Sequence, residues 1–191
     1  MNPFSNQIKD VFPDTVSIGK ARNSALEQLS ETEFPSPQQE IWKYSKIFNL
    51  DLESLNPSFN SPDDKKTEPS FLDIKDSGLI SINDGWLGNP KSGDFLDSSQ
   101  GYLGSLANMG NELSHIEENF DKPKDFFDCL NRAYNPETLV IHVPDGVTHE
   151  SPIYIKIQSV TSGLVACPRI VVNLGENSEV KIVEHHLSGN A

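Results

Sequence analysis

The chain has 191 residues and a formal net charge of -13, from 28 acidic against 15 basic side chains. Such an acidic surplus excludes a binder of nucleic-acid phosphates, which needs Lys and Arg to displace counterions, and speaks against an anionic membrane surface. Hydrophobic residues make up 36% of the chain, and the mean hydropathy of -0.44 leaves room for a core beside a share of solvated linker.

The N-terminal stretch MNPFSNQIKDVFPDTVSIGK has no basic region followed by an apolar one, so it does not read as a targeting segment. No run approaches the roughly 18 apolar residues of a membrane span. The expectation is a soluble, cytoplasmic protein. Ile18, Ala21, Ala25, Leu26 and Leu29 then recur at spacings of three and four, the period of one helix face. This first helix should stop before EFPSP, because proline biases the residue before it away from helix. A second helix is expected from Ser36 as cap, with Pro37 at its first position and Gln39 bonding back. It would carry Ile41, Trp42, Tyr44, Ser45 and Phe48 on one broad apolar side.

Residues 56–70, NPSFNSPDDKKTEPS, have linker composition. In GLISINDGWLG, Leu79 to Ile82 reads as a short strand and Asn83-Asp84-Gly85 as a turn. Residues 91–124 are weakly patterned, and FFDCLNRAYN, from Phe126, reads as a short amphipathic helix. From Leu139 the texture changes to four β-branched runs, LVIHVPDG, PIYIKIQS, RIVVNLGE and EVKIVEHH. Their spacing fits a sandwich, a barrel or a β-solenoid and does not decide among them. The chain stops at HLSGNA directly after a strand with no covering element, which reads as a fragment.

Chemistry is sparse. Cys129 and Cys167 are too few for a disulfide framework or a CxxC site and read as buried thiols. Of the five histidines, His115, His142, His149, His185 and His186, the last two point to opposite faces of a strand. His142 and His149 flank VPDGVT and can approach each other across a turn. They are the basis of one alternative, a β-sandwich or cupin-like metal enzyme. GYLGS and DGWLG lack the glycine spacing that cradles phosphate and read as turns, and no GxSxG elbow occurs. No catalytic, cofactor-binding or metal-binding residue is assigned, and the chain is not expected to be an enzyme.

Residues 22–47, RNSALEQLSETEFPSPQQEIWKYSKI, resemble the N-terminal motif of the SufB/SufD family of iron–sulfur cluster assembly proteins. In its SufD branch an R-x-x-A-L helix precedes a proline turn and E-x-W-[KR]-Y-[ST], a pattern filled here by Glu40, Trp42, Lys43, Tyr44 and Ser45. LVIHVPDGVTHESPIYIKI and CPRIVVNLGENSEVKIVEHHLS are similar to the family's first β-helical turns. Where SufB-like sequences tend to carry a cysteine after the glutamate, His185 and His186 stand, which again favours SufD.

The resemblance implies an α+β chain in three parts. These are a helical domain at 1–55, a linker at 56–70, and the first coils of a right-handed parallel β-helix at 71–191. A short helix falls near 124–134, and the solenoid is incomplete at its C-terminus. It further implies a scaffold subunit that works with a SufC-type ATPase and a SufB-type paralogue. The iron–sulfur cluster would be handled by the assembled complex, with no cofactor held by this portion. Trp42 and Tyr44 would anchor the helical domain within the scaffold. A solenoid cut after its first coils is expected to be marginally stable or self-associating in isolation.

Overall fold

The computed structural model describes residues 4, 12, 16–62, 78–90, 99–109 and 123–188 of the chain, an α+β arrangement of two helices and three sheets among them. Helix α1 spans Val16–Glu31 and buries Ala25 and Leu29, the face anticipated from the spacing of its apolar residues. Thr32 ends it: its N–H and its hydroxyl both donate to Gln28 O, at 2.9 and 2.7 Å, just before the proline-rich turn.

The second helix expected from Ser36 does not form. The Ser36–Gln39 hydrogen bonds are present, with Gln39 N–H donating to Ser36 O at 3.0 Å and Ser36 N–H to Gln39 Oε1 at 3.4 Å. Beyond them lie two single 3-10 turns, Glu40–Trp42 and Ile47–Asn49. The inward residues explain why. Trp42 is half-buried and Ile47 and Leu52 are buried. Positions five apart fall on different sides of a 3.6-residue helix, so a chain that anchors all three must unwind. Ile41 and Tyr44, placed by the expected helix on its apolar side, are 80% and 87% exposed.

The strands are β1 (Asn56–Pro57), β2 (Gly78–Asn83), β3 (Trp86–Leu87), β4 (Tyr102–Ser105), β5 (Thr138–Val143), β6 (Ile153–Ser159), β7 (Leu164–Val165), β8 (Arg169–Leu174) and β9 (Ile182–Ser188). Helix α2, Phe126–Tyr134, precedes β5 and is capped by Asp125, whose carboxylate accepts from Asp128 N–H at 2.9 Å. The sheets have the orders β3-β2-β6-β9, β4-β5-β8 and β1-β7. GYLGS, read as a turn, supplies β4, antiparallel to β5 with Tyr102 opposite His142. Asn56 and Pro57, at the head of the linker-like segment, pair in parallel with Leu164 and Val165. Residues 63–70 of that segment lie outside the described residues.

From β5 onward the chain visits the three sheets in rotation, β5, β6 and β7 in turn and then β8 and β9. β5 pairs in parallel with β8, Thr138 opposite Arg169, and β6 pairs in parallel with β2 and β9, Ile153 opposite Gly78 and Ile182. Between the sheets Ile80, Ile82, Leu139, Ile141, Val143, Ile153 and Ile155 form one apolar cluster, each no more than 1% exposed. The connecting turns stack as well. Gly146 N–H donates to Glu176 O and Gly175 N–H to Val143 O, both at 2.8 Å, and Thr148 bridges Glu179. Gly175 is required by closeness, because a Cβ there would sit 2.3 Å from Asp145 Oδ1 and 2.4 Å from Asp145 N.

A second core joins the helices. Phe4, Ala25, Leu29, Leu52, Phe126, Cys129, Leu130, Ala133 and Tyr134 pack together, with Cys167 from the strand region among them.

Candidate functional site

The segment that the sequence singled out as a docking element is held by aromatic contacts onto α2. Phe34 meets Phe126 edge-on at 5.1 Å, and Trp42 meets Phe127 at 5.4 Å. Arg22, from α1, is 7% exposed; one guanidinium nitrogen donates to Ala133 O at 2.8 Å and the group lies 4.3 Å over the Phe12 ring. The arginine of the R-x-x-A-L pattern therefore ties α1 to the end of α2. Its role had no signal beyond the motif itself. On the outer side of the same segment Ile41 and Tyr44 project, with Lys43 Nζ 5.4 Å from the Tyr44 ring centre.

The histidines are dispersed. His142 Nδ1 is 2.8 Å from Asn173 Nδ2 on the neighbouring strand, and His149 Nε2 is 2.8 Å from Gln100 O. No group of three His, Cys, Asp or Glu placed to hold a metal occurs among the described residues, so no described residue joins His142 and His149 into the ligand set of the metal-enzyme alternative. His185 turns inward to the Tyr154 hydroxyl, while His186 is exposed beside Glu184 at 3.1 Å, the division that strand alternation anticipates. His115 lies outside the described residues.

The thiols are both buried and free. Burial pushes Cys167 up to about 12, against a small opposing effect of Arg22. Cys129 is also raised, first by burial, despite the Thr32 hydroxyl beside it. Since the thiolate is the nucleophile and the metal ligand, neither residue is poised for that chemistry. On α2, burial alone would raise Asp128. Hydrogen bonds from Arg132 at 2.8 Å and from Lys124 N–H at 3.1 Å, with the Arg132 and Arg169 charges, hold it below the usual carboxylate value. Arg169 is lowered by burial and by neighbouring Arg132.

A cavity of about 40 Å³ lies between Ile18, Arg22, Leu106, Arg132 and Arg169. It has room for a few waters, far below the several hundred Å³ of an ordinary small-molecule site. This cavity is not a substrate pocket, and among the described residues the outer side of the 34–52 segment presents Ile41 and Tyr44.

Comparison with known proteins identifies the family. The family model described as SufBD protein N-terminal region matches residues 4–155, most of the chain. The chain belongs to the SufB/SufD family. This SufBD chain is also 26% identical over 202 residues to the protein ABCI7, chloroplastic, of Arabidopsis thaliana. That alignment covers 96% of the SufBD chain and 42% of the plant protein, so the chain spans less than half the length of that curated relative. No described helix of the SufBD chain is long and apolar enough to cross a membrane.

Proposed function

We propose that this chain is the N-terminal portion of a SufD-like scaffold subunit in iron–sulfur cluster assembly, without catalytic activity of its own. The family match over residues 4–155 carries the reading. The SufD assignment is supported by Trp42, Lys43, Tyr44 and Ser45 and by His185 and His186 after Glu184. In this reading 1–55 is a helical domain, 56–70 a linker and 71–191 the beginning of a right-handed parallel β-helix. The parallel β5–β8 and β6–β9 ladders and their stacked turns support the solenoid. The partners are a SufB-type paralogue and a SufC-type ATPase, the cluster is cargo of the assembled complex, and the setting is the cytoplasm. Ile41 and Tyr44 form the partner-facing edge, because the same segment is already fixed from behind by Trp42 and Phe34.

The test is affinity isolation of the tagged full-length gene product from its own cells. Recovery of an ABC-type ATPase and a SufB-type paralogue in stoichiometric amount is the expected result. A product that emerges alone under low-salt, anaerobic conditions would overturn the assignment.

A further inference from the structure

Where β2 ends and β6 leaves its sheet, three side-chain oxygens are buried and receive no hydrogen bond from the described residues: Asn83 Oδ1, Asp84 Oδ2 and Gln158 Oε1. The residues are 5%, 1% and 2% exposed. Buried acceptors are satisfied in the great majority of proteins, so three at one junction require an explanation.

Their placement is set by the ladder. Asn83 stands directly opposite Gln158 in the parallel β2–β6 pairing, so both side chains leave the sheet from one face. Asp84 follows at once in the left-handed region, φ 50°, and its N–H donates to Gln158 O at 2.9 Å. The other Asp84 oxygen, Oδ1, accepts from Val160 N–H at 2.8 Å and from Thr161 N–H at 3.4 Å. Half of the carboxylate is therefore satisfied by backbone, and half is not. Asp84 forms no ion pair with a described cationic side chain; Lys156, buried on the same strand two residues before Gln158, has contacts of its own.

We propose that Asn83, Asp84 and Gln158 seat one hard, oxygen-seeking cation of the calcium class. One carboxylate oxygen and two amide carbonyls are the donors that such an ion takes, with water completing the shell. A single water donates two hydrogens and carries no charge, so it leaves one of the three acceptors unmet and the carboxylate uncompensated. With one carboxylate the seat is weak, in the range of about 0.1–1 mM. It pins the Asp84-Gly85 turn to the strand exit at Val160, which joins the β2–β3 hairpin to the following coil. The proposal is independent of the assembly reading, and the failure of either leaves the other standing.

Trp86 stands opposite Asn83 in the β2–β3 pairing and supplies an antenna for a lanthanide in the seat. The experiment titrates terbium into the chelator-treated full-length protein, exciting tryptophan, and then competes it with calcium. Saturable sensitised emission that calcium displaces is expected, together with a calcium-dependent rise in melting temperature. Asp84→Asn keeps the backbone-bound oxygen and suits the left-handed turn, so it should fold yet weaken binding by about tenfold or more. Gln158→Met removes one acceptor and keeps the bulk. It should weaken calcium without lowering metal-free stability, a readout that does not depend on the first variant. Unsaturable emission, or emission unchanged in both variants, would assign the signal to the acidic surface and overturn the proposal. Stability indifferent to calcium would assign the junction to water and do the same.

Discussion

Residues 34–52 and residues 138–188 are held by opposite means. The first segment has almost no backbone ladder; isolated turns are pinned by Phe34, Trp42 and Leu52 against α2 and its surroundings, with Ile47 buried between them in the chain. The second is a continuous set of parallel hydrogen-bonded registers around an aliphatic interior. The difference teaches where sequence change is tolerated. A ladder shares its load among many backbone bonds but cannot lose its packed interior, whereas the pinned segment depends on a few side chains and leaves others free for partners.

The contrast can be broken most severely in the strand interior. Ile155→Ala, a fully buried position between the two sheets, is expected to cost about 3–4 kcal/mol, read as a shift of the urea midpoint at unchanged slope. Alkaline pH probes the seam between the two regions at Cys167. Its folded value is raised to about 12, so its contribution is complete below the ordinary thiol range near 9 and is lost as pH climbs towards 12. Thermal melts should fall across that window in the native chain and lose this component in Cys167→Ala.

In the pinned segment, Trp42→Ala should cost about 2 kcal/mol through the lost Phe127 contact. Tyr44→Ala, one turn away and exposed, should move stability by no more than about 0.5 kcal/mol while reducing recovery of the partners. Equal losses of stability from both would erase the distinction between pinned and partner-facing sides. Asp125→Ala removes the cap of α2, the platform beneath Trp42, at about 1 kcal/mol by chemical denaturation.

The smallest expected effect is acid-side. Asp128 is depressed in the folded chain, so its stabilisation is present above the unfolded carboxylate value and disappears as pH falls through the lower folded one. Arg132→Gln should flatten that part of the stability–pH curve.

Several elements were legible because their signals are local. The apolar spacing of Ala25 and Leu29, the amphipathic run of α2 from Phe126, and the β-branched runs of β5, β6, β8 and β9 each carry their own period. The helix expected over Ile41 to Phe48 was misread for a related reason. Composition showed apolar residues, but tertiary packing chose which of them turn inward: Trp42 and Leu52 against α2, and Ile47 buried as well.

GYLGS became a strand through a partner that follows it by dozens of residues, and Asn56-Pro57 through one more than a hundred residues away. Nothing local announces such pairings, because a strand's hydrogen bonds are made to a neighbour and not within itself. The candidate surface divides in the same way. The Glu40 to Ser45 motif and the split of His185 from His186 were readable from spacing and alternation. The exposure of Tyr44, the Arg22 tie to Ala133, and the pairing of Asn83 with Gln158 beside the buried Asp84 were not. The sequence by itself determined the periodic elements and the family. Tertiary structure alone decided which side chains face outward and which polar groups are buried together, since burial is a property of two surfaces in contact.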